Sequence, residues 1–313
     1  MHRTLAEQLG DSAGQVDLTG EDRYHMSVLI VASSEPRAGR SLLAAAMAYR
    51  LGRDGRPVTL ARLAGDAGAQ ADAATFASLE GVVAPSAPMD AATAVKVEGD
   101  LVAEAPSGSV RQLVASLKAR VLAVGGTGST NADAAKEALL GTVLTRVPAA
   151  DVETVGKRAG VLLVLPEDRV LAAPSVADIA DALRAKSLAR GDVQCTIDRV
   201  MIGTVASDAA GPYFANRQRT CVVTRFDKTD IQLAALNTDL ECLVLTGGGE
   251  PSPYLLDRVA GHRPDVAVLL APDDTVTSMR AIEPLFAASR FEGQGKLLRV
   301  VEMLDEAGFT LGF

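Results

Sequence analysis

The stretch VLIVASSEPRAGRSLLAAAMAYRLGRDGRPVTLARL, residues 28–63, decides the fold. Its first five residues are apolar and mostly β-branched, and the loop SEPRAGRS separates them from an alanine- and leucine-rich segment of helical length. Asp54 and Gly55 then supply a turn, and VTLARL reads as a second strand. Strand, helix and strand at this spacing form a βαβ unit, whose strands run parallel because the helix carries the chain back along the sheet. The alternation continues through the helix VRQLVASLKA and the strands VLAVGG, GTVLTRV and VLLVLP. A helix from about Val176 to Leu188 ends at RGD, and a second alternation follows with IDRVMIGTV, CVVTR, DIQLAALN, CLVLTGG, YLLDRVAG, VAVLLAP and MRAIEPLF.

The expected class is α/β: a phosphate-loop domain with a mainly parallel sheet over 26–190, then a smaller α/β domain over 191–313, the boundary falling near 189–197. Residues 82–106, rich in Ala, Pro and Ser, read as loops over the first sheet. Residues 1–25 are polar, without sustained apolar periodicity, and read as a mobile leader, with Met26 as an alternative start.

Composition narrows the function classes. A hydrophobic content of 48% over 313 residues suffices for two cores. The formal charge of -8 argues against nucleic acid and anionic membrane as partners, since both carry the same sign. Uncharged runs fall well short of the roughly 20 residues of a bilayer span, and no secretory signal opens the chain, so a soluble cytoplasmic protein is expected. Cys195, Cys221 and Cys242, like His2, His25 and His262, are too scattered for a disulfide framework or a metal site.

The loop at 34–41 occupies the place of the G-x-x-x-x-G-K-[ST] phosphate loop, in which backbone N–H groups and the positive end of the following helix surround a polyphosphate. Candidate nucleotide- or phosphate-binding residues are Ser34, Arg37, Gly39, Arg40 and Ser41. Arg40 stands where lysine is expected, and the exchange is not conservative at a close-fitting site. A plain strand-to-helix turn is the alternative. Ser41 would ligate a metal only if a magnesium nucleotide binds. A hydrolase also needs an acid at the end of a neighbouring strand, and the candidate strand, at 121–130, ends in Val124, Gly125 and Gly126 with none. Asp66 and Asp72 are the remaining nearby acids. Glu35 within the loop would repel phosphate and Arg37 attract it. No residue is assigned a catalytic role.

The SSEPRAGRS loop, the Asp72 to Phe76 segment and LLVLPEDRVLAAPSV (162–176) resemble the dethiobiotin-synthetase-like N-terminal region of long bacterial phosphate acetyltransferases. VVTRFDKTDIQLAAL (222–236), LVLTGG (243–248) and LLAPDDTVTSMRAIEPL (269–285) resemble the DRTGG domain that follows it there. The resemblance implies ATP or GTP with Mg as the cofactor of the first domain. It places Arg40 and Val124 where that family usually has lysine and glutamate, and Thr145 where an asparagine helps hold the base. The sequence ends where an acetyltransferase domain would begin, so acyl transfer to phosphate is not expected.

In the second domain, Asp227 and Lys228 follow one strand, Thr246, Gly247 and Gly248 the next, and Asp274 and Thr275 a third. Loops after strand C-termini converge on one sheet edge, where ligands bind. The alternative is that Asp227 or Thr229, and Asp274 or Thr275, cap helices and the glycines make a tight turn. The resemblance implies a regulatory or dimerising module. The terminal GQGKLLRVVEMLDEA reads as an amphipathic helix whose Leu297, Leu298, Val301 and Leu304 would cover the second domain or pair with a partner. The expected function is a regulatory or ligand-sensing protein that binds a nucleotide or another small anionic ligand, forms a homodimer and signals through its domain arrangement, with an unidentified protein as a further partner. The alternatives are an ATP-dependent enzyme, with Asp72 or Glu167 assisting magnesium, and a structural dimer without ligand.

Overall fold

The computed structural model describes residues 27–127, 137–203, 219–288, 290–291 and 293–311. The leader expected at 1–25 lies outside them. The N-terminal strands are β1 (Val28–Ala32), β2 (Val58–Arg62), β3 (Asp100–Glu104), β4 (Arg120–Gly125), β5 (Leu139–Val147) and β6 (Val161–Pro166). They form one parallel sheet in the order β2-β3-β1-β4-β5-β6. The helices on and around it are α1 (Arg40–Arg53), α2 (Ala69–Ala77), α3 (Ala91–Ala94), α4 (Val110–Leu117), α5 (Val152–Gly156) and α6 (Arg169–Ala172).

The two-residue period of β1 explains the layering. Leu29 and Val31 face α1, while Val28, Ile30 and Ala32 face the opposite core with Leu117 of α4. Alanines Ala44, Ala45, Ala46 and Ala48 of α1 are all buried, which lets the helix lie close on the sheet.

The segment 82–106 is not loops throughout: it contains α3 and the central strand β3. DLVAE carries an acid at each end, and Gly99 and Pro106 flank it closely, so its three apolar residues are too short a run to announce a strand. The main chain of β3 pairs with both β1 and β2.

A second sheet has the order β7-β11-β10-β9-β8, from β7 (Lys186–Ala189), β8 (Arg199–Ile202), β9 (Thr220–Arg225), β10 (Leu240–Thr246) and β11 (Ala267–Leu270). Its strands are parallel except β7, which runs antiparallel to β11. Its helices are α7 (Val176–Ala182), α8 (Thr229–Leu236), α9 (Pro253–His262), α10 (Thr275–Ile282) and α11 (Leu285–Ala288). The helix expected over 176–188 therefore stops at Ala182. Ser175 and Asp178 close a capping box at its start, and 186–189 extends the second sheet instead. An α/β domain with a mainly parallel sheet is thus followed by a smaller α/β unit.

The last helix, α12 (Gln294–Glu306), returns to the first domain. Leu297, Val300, Val301 and Leu304 are buried in the core that contains α1. Asp305 accepts from Arg53 at 2.9 Å and pairs with Arg50 Nε at 2.9 Å, and Arg50 donates to the Phe309 carbonyl at 2.7 Å. Amphipathic period gave this helix an apolar face but no address. The expectation that it covers the second domain or awaits a partner is corrected: apart from Leu298, which is exposed, its apolar face is buried against the first domain.

Candidate functional site

β1 lies where the sheet reverses direction of growth, since its neighbours β3 and β4 lead to opposite sides. The crevice outside the strand C-termini at such a point is the usual ligand site of an open α/β sheet. Here it is a cavity of about 800 Å³, with one wall formed by Arg37, Gly39, Arg40 and Ser41 and another by Thr145, Arg146, Glu167 and Arg169. Phe286, Arg290, Phe291, Lys296 and Val300 close it from the C-terminal segment. Six cationic and four carboxylate side chains line it, so it favours an anion.

Gly39 has φ 85°, a left-handed conformation that turns the loop into α1 at little steric cost. No side chain caps the helix, so its first N–H groups remain for a ligand. The Thr145 hydroxyl donates to the Ala38 carbonyl at 2.8 Å and fixes the loop from β5. Glu35 is turned toward the end of β4, where it accepts from the Gly126 N–H at 2.8 Å.

Arg40 crosses to β3. Its Nη1 donates to the Ala105 carbonyl at 3.0 Å and reaches Ser107 Oγ at 3.4 Å, and its Nε lies 3.5 Å from Glu104 Oε1. Glu104 is the acid that sequence reasoning missed. It ends the strand beside β1 on the side opposite Val124, it is 1% exposed, and it lines the cavity. The expectation that no acid stands on a neighbouring strand is therefore overturned: the acid is on β3, whereas Val124 is on β4. The available signal was DLVAE itself, an acid at the end of a short apolar run. Burial pushes the Glu104 carboxyl above the usual range, against the pull of Arg62.

Arg62, at the end of β2, is 2% exposed and gathers the remaining acids. It donates to Asp66 at 2.6 Å, to Asp72 at 3.0 Å and to the Leu63 carbonyl at 2.7 Å, and lies 3.8 Å from Glu104. Burial alone would lower its pKa, but the hydrogen bond it donates to Asp66, the charge of Glu104 and the hydrogen bond it donates to Asp72 more than offset that. Asp66 is likewise held low by Arg62 despite its own burial.

Of the residues expected near magnesium, Ser41, Asp72 and Glu167 line the cavity and Asp66 does not; Glu104 lines it as well. Asp72 is committed to Arg62, and Glu104 lies between two guanidinium groups. No cluster of three metal-ligating side chains occurs among the described residues. At Glu104 and Asp72 a divalent cation does not fit without displacing an arginine. Ser34, also expected at the site, is exposed at the start of the loop and outside the cavity lining.

The expected second-domain residues bond within one edge of the second sheet, where the loops after β10 and β11 meet. Asp227 pairs with Arg225 at 2.8 Å, which holds its carboxyl below the usual range. Lys228 stands at the cap position of α8 without a side-chain capping bond. The Thr246 hydroxyl reaches Thr275 Oγ1 at 2.8 Å, and the Gly247 and Gly248 N–H groups donate to the Asp273 and Ala271 carbonyls. Asp274 caps α10 by accepting from the Thr277 N–H at 2.9 Å, and the glycines take left-handed φ of 96° and 63° in a tight turn.

A profile described as the DRTGG domain matches residues 178–285. Those residues are a DRTGG domain. The DRTGG domain thus holds all five strands of the second sheet with α8, α9, α10 and most of α7, and the cavity lies against the segment that follows it. A solved structure of the CBS and DRTGG domains of the regulatory region of Clostridium perfringens pyrophosphatase, complexed with its activator diadenosine tetraphosphate, is similar at 16% identity with a TM-score of 0.34. The match covers 46% of this chain and 65% of that one, so this chain spans less than two thirds of the other's length. No helix among the described residues is long and apolar enough to cross a membrane.

Proposed function

We propose that this chain is a regulatory, ligand-sensing protein whose first domain holds a nucleotide or another phosphorylated anion without appreciable turnover, and whose DRTGG domain relays its presence. The observation that carries the reading is the net-positive cavity at the uncapped start of α1, closed by the segment beyond the DRTGG domain. The loop keeps the position and glycine of a dethiobiotin-synthetase-like phosphate loop, while Arg40 reaches across to β3 where a lysine would track the γ phosphate. Loss of a group that acts mainly in the transition state lowers rate more than affinity.

Calorimetry with a non-hydrolysable ATP analogue, paired with a phosphate-release assay on the same preparation, tests it. Binding without release is expected. Magnesium-dependent release at about 1 per second or faster, abolished by Ser41→Ala, would establish the ATP-dependent enzyme instead; the presence of Glu104 and Ser41 on one cavity favours that second reading. No binding of any nucleotide or polyphosphate would leave a structural protein.

A further inference from the structure

We propose that the cavity takes its polyanion without a divalent metal ion, and that Arg40 stands in the metal's place. The proposal rests on the reading that the cavity binds an anion. In a metal-dependent phosphate loop, the hydroxyl at the start of the helix and a nearby acid hold the ion against the phosphates. Ser41 and Glu104 occupy those roles by position. Glu104 Oε1, however, already lies 3.5 Å from Arg40 Nε and 3.8 Å from Arg62 Nε. Asp72, which also lines the cavity, and Asp66 behind it are both bonded to Arg62. A divalent ion on Glu104 would meet two fixed positive charges at short range, in a buried place where water screens little.

Arg40 supplies what the ion would supply: positive charge beside phosphate oxygens, delivered through a planar fork of donors. Its contacts to Ala105, Ser107 and Glu104 use Nη1 and Nε, which leaves the Nη2 donors for a ligand. Glu104 Oε2 is buried with no hydrogen-bond partner among the described residues. It is available to a ligand hydroxyl or to a protonated phosphate oxygen. Arg40 is therefore a ligand-selecting residue: it admits the metal-free polyanion and disfavours the magnesium complex.

The test uses the full chain, with a non-hydrolysable ATP analogue and inorganic tripolyphosphate as probes, titrated once in excess chelator and once in excess magnesium. Affinity in chelator equal to or tighter than in magnesium is the expected result. Affinity weaker in chelator by about tenfold or more would overturn the metal-free proposal while leaving anion binding intact. Absence of binding in both buffers would overturn the anion-binding reading and this proposal with it. Arg40→Lys adds an independent check, since an ammonium keeps the charge but not the fork. That variant is expected to bind about tenfold more weakly in chelator and to recover with magnesium; an unchanged affinity in chelator would refute the role of Arg40.

Discussion

Replacing Arg62 with methionine probes the charge network that backs the loop, because methionine keeps a flexible apolar stem while removing the charge. The wild-type guanidinium holds Asp66, Asp72 and the Leu63 carbonyl and lies 3.8 Å from Glu104. Asp66 and Asp72 side chains are each 35% exposed and can rehydrate, so their loss is screened and costs about 1 kcal/mol or less apiece. Glu104, at 1% exposed, cannot rehydrate and keeps only the Ser41 hydroxyl and Arg40, at 3.5 Å, as favourable neighbours. Breaking a buried pair costs about 3–5 kcal/mol, and protonating Glu104 relieves part of it, so a deficit of about 3 kcal/mol near neutral pH is expected. The pH dependence has a definite sign. A buried acid whose folded pKa exceeds its ordinary 4.5 costs no stability below that value and costs progressively more as pH rises toward the folded pKa. Removing Arg62 raises the folded pKa further, at about 1.4 kcal/mol per unit. Urea unfolding at about pH 5 and about pH 8 should therefore show the larger deficit at the higher pH. Adding Glu104→Gln to the variant should remove most of that difference. A deficit below about 1 kcal/mol, or one equal at both pH values, would refute the reasoning.

Leu304→Ala, in the core beneath α1, should cost about 2–5 kcal/mol in urea unfolding, and a loss below 1 kcal/mol would show that α12 is not part of the first core. Thr145→Val removes the hydroxyl that holds the Ala38 carbonyl; a loss of about 1 kcal/mol and a severalfold weaker affinity for the ATP analogue are expected by calorimetry. Asp305 is held below its ordinary 3.8 first by its hydrogen bond with Arg53, so its contribution is present above that value and fades as pH falls through the lower folded pKa. Acid unfolding of Asp305→Asn should accordingly converge with wild type at the acid end, while the two differ modestly near neutrality because the pair is largely solvated.

Much of this fold can be read from residue periods. The stretch 28–63 announces β1, α1 and β2 because apolar runs of strand length alternate with one of helix length. β3 is hidden because its three apolar residues sit between Asp100 and Glu104, and hydrogen bonding with β1 and β2 makes them a strand. Missing β3 meant missing Glu104, and so the decisive acid of the cavity. β7 reads as the end of a helix, since only its long-range pairing with β11 draws KSLA into a sheet. Arg62 looks like a solvated charge at a strand end; its burial follows from three acids that come from the loop after β2, from α2 and from β3. The loop at 34–41 that forms one wall of the cavity was legible as a strand-to-helix connection, whereas the C-terminal wall depends on where α12 returns, which no local pattern encodes.

The most direct test of the central claim is amide hydrogen exchange on the full chain with and without a non-hydrolysable ATP analogue in excess chelator. Protection is predicted at two separated stretches, 37–43 at the start of α1 and 290–300 at the C-terminal wall, because one ligand would contact both. Saturating analogue that leaves exchange unchanged at both stretches, or protects only loops of the DRTGG domain, would contradict the account.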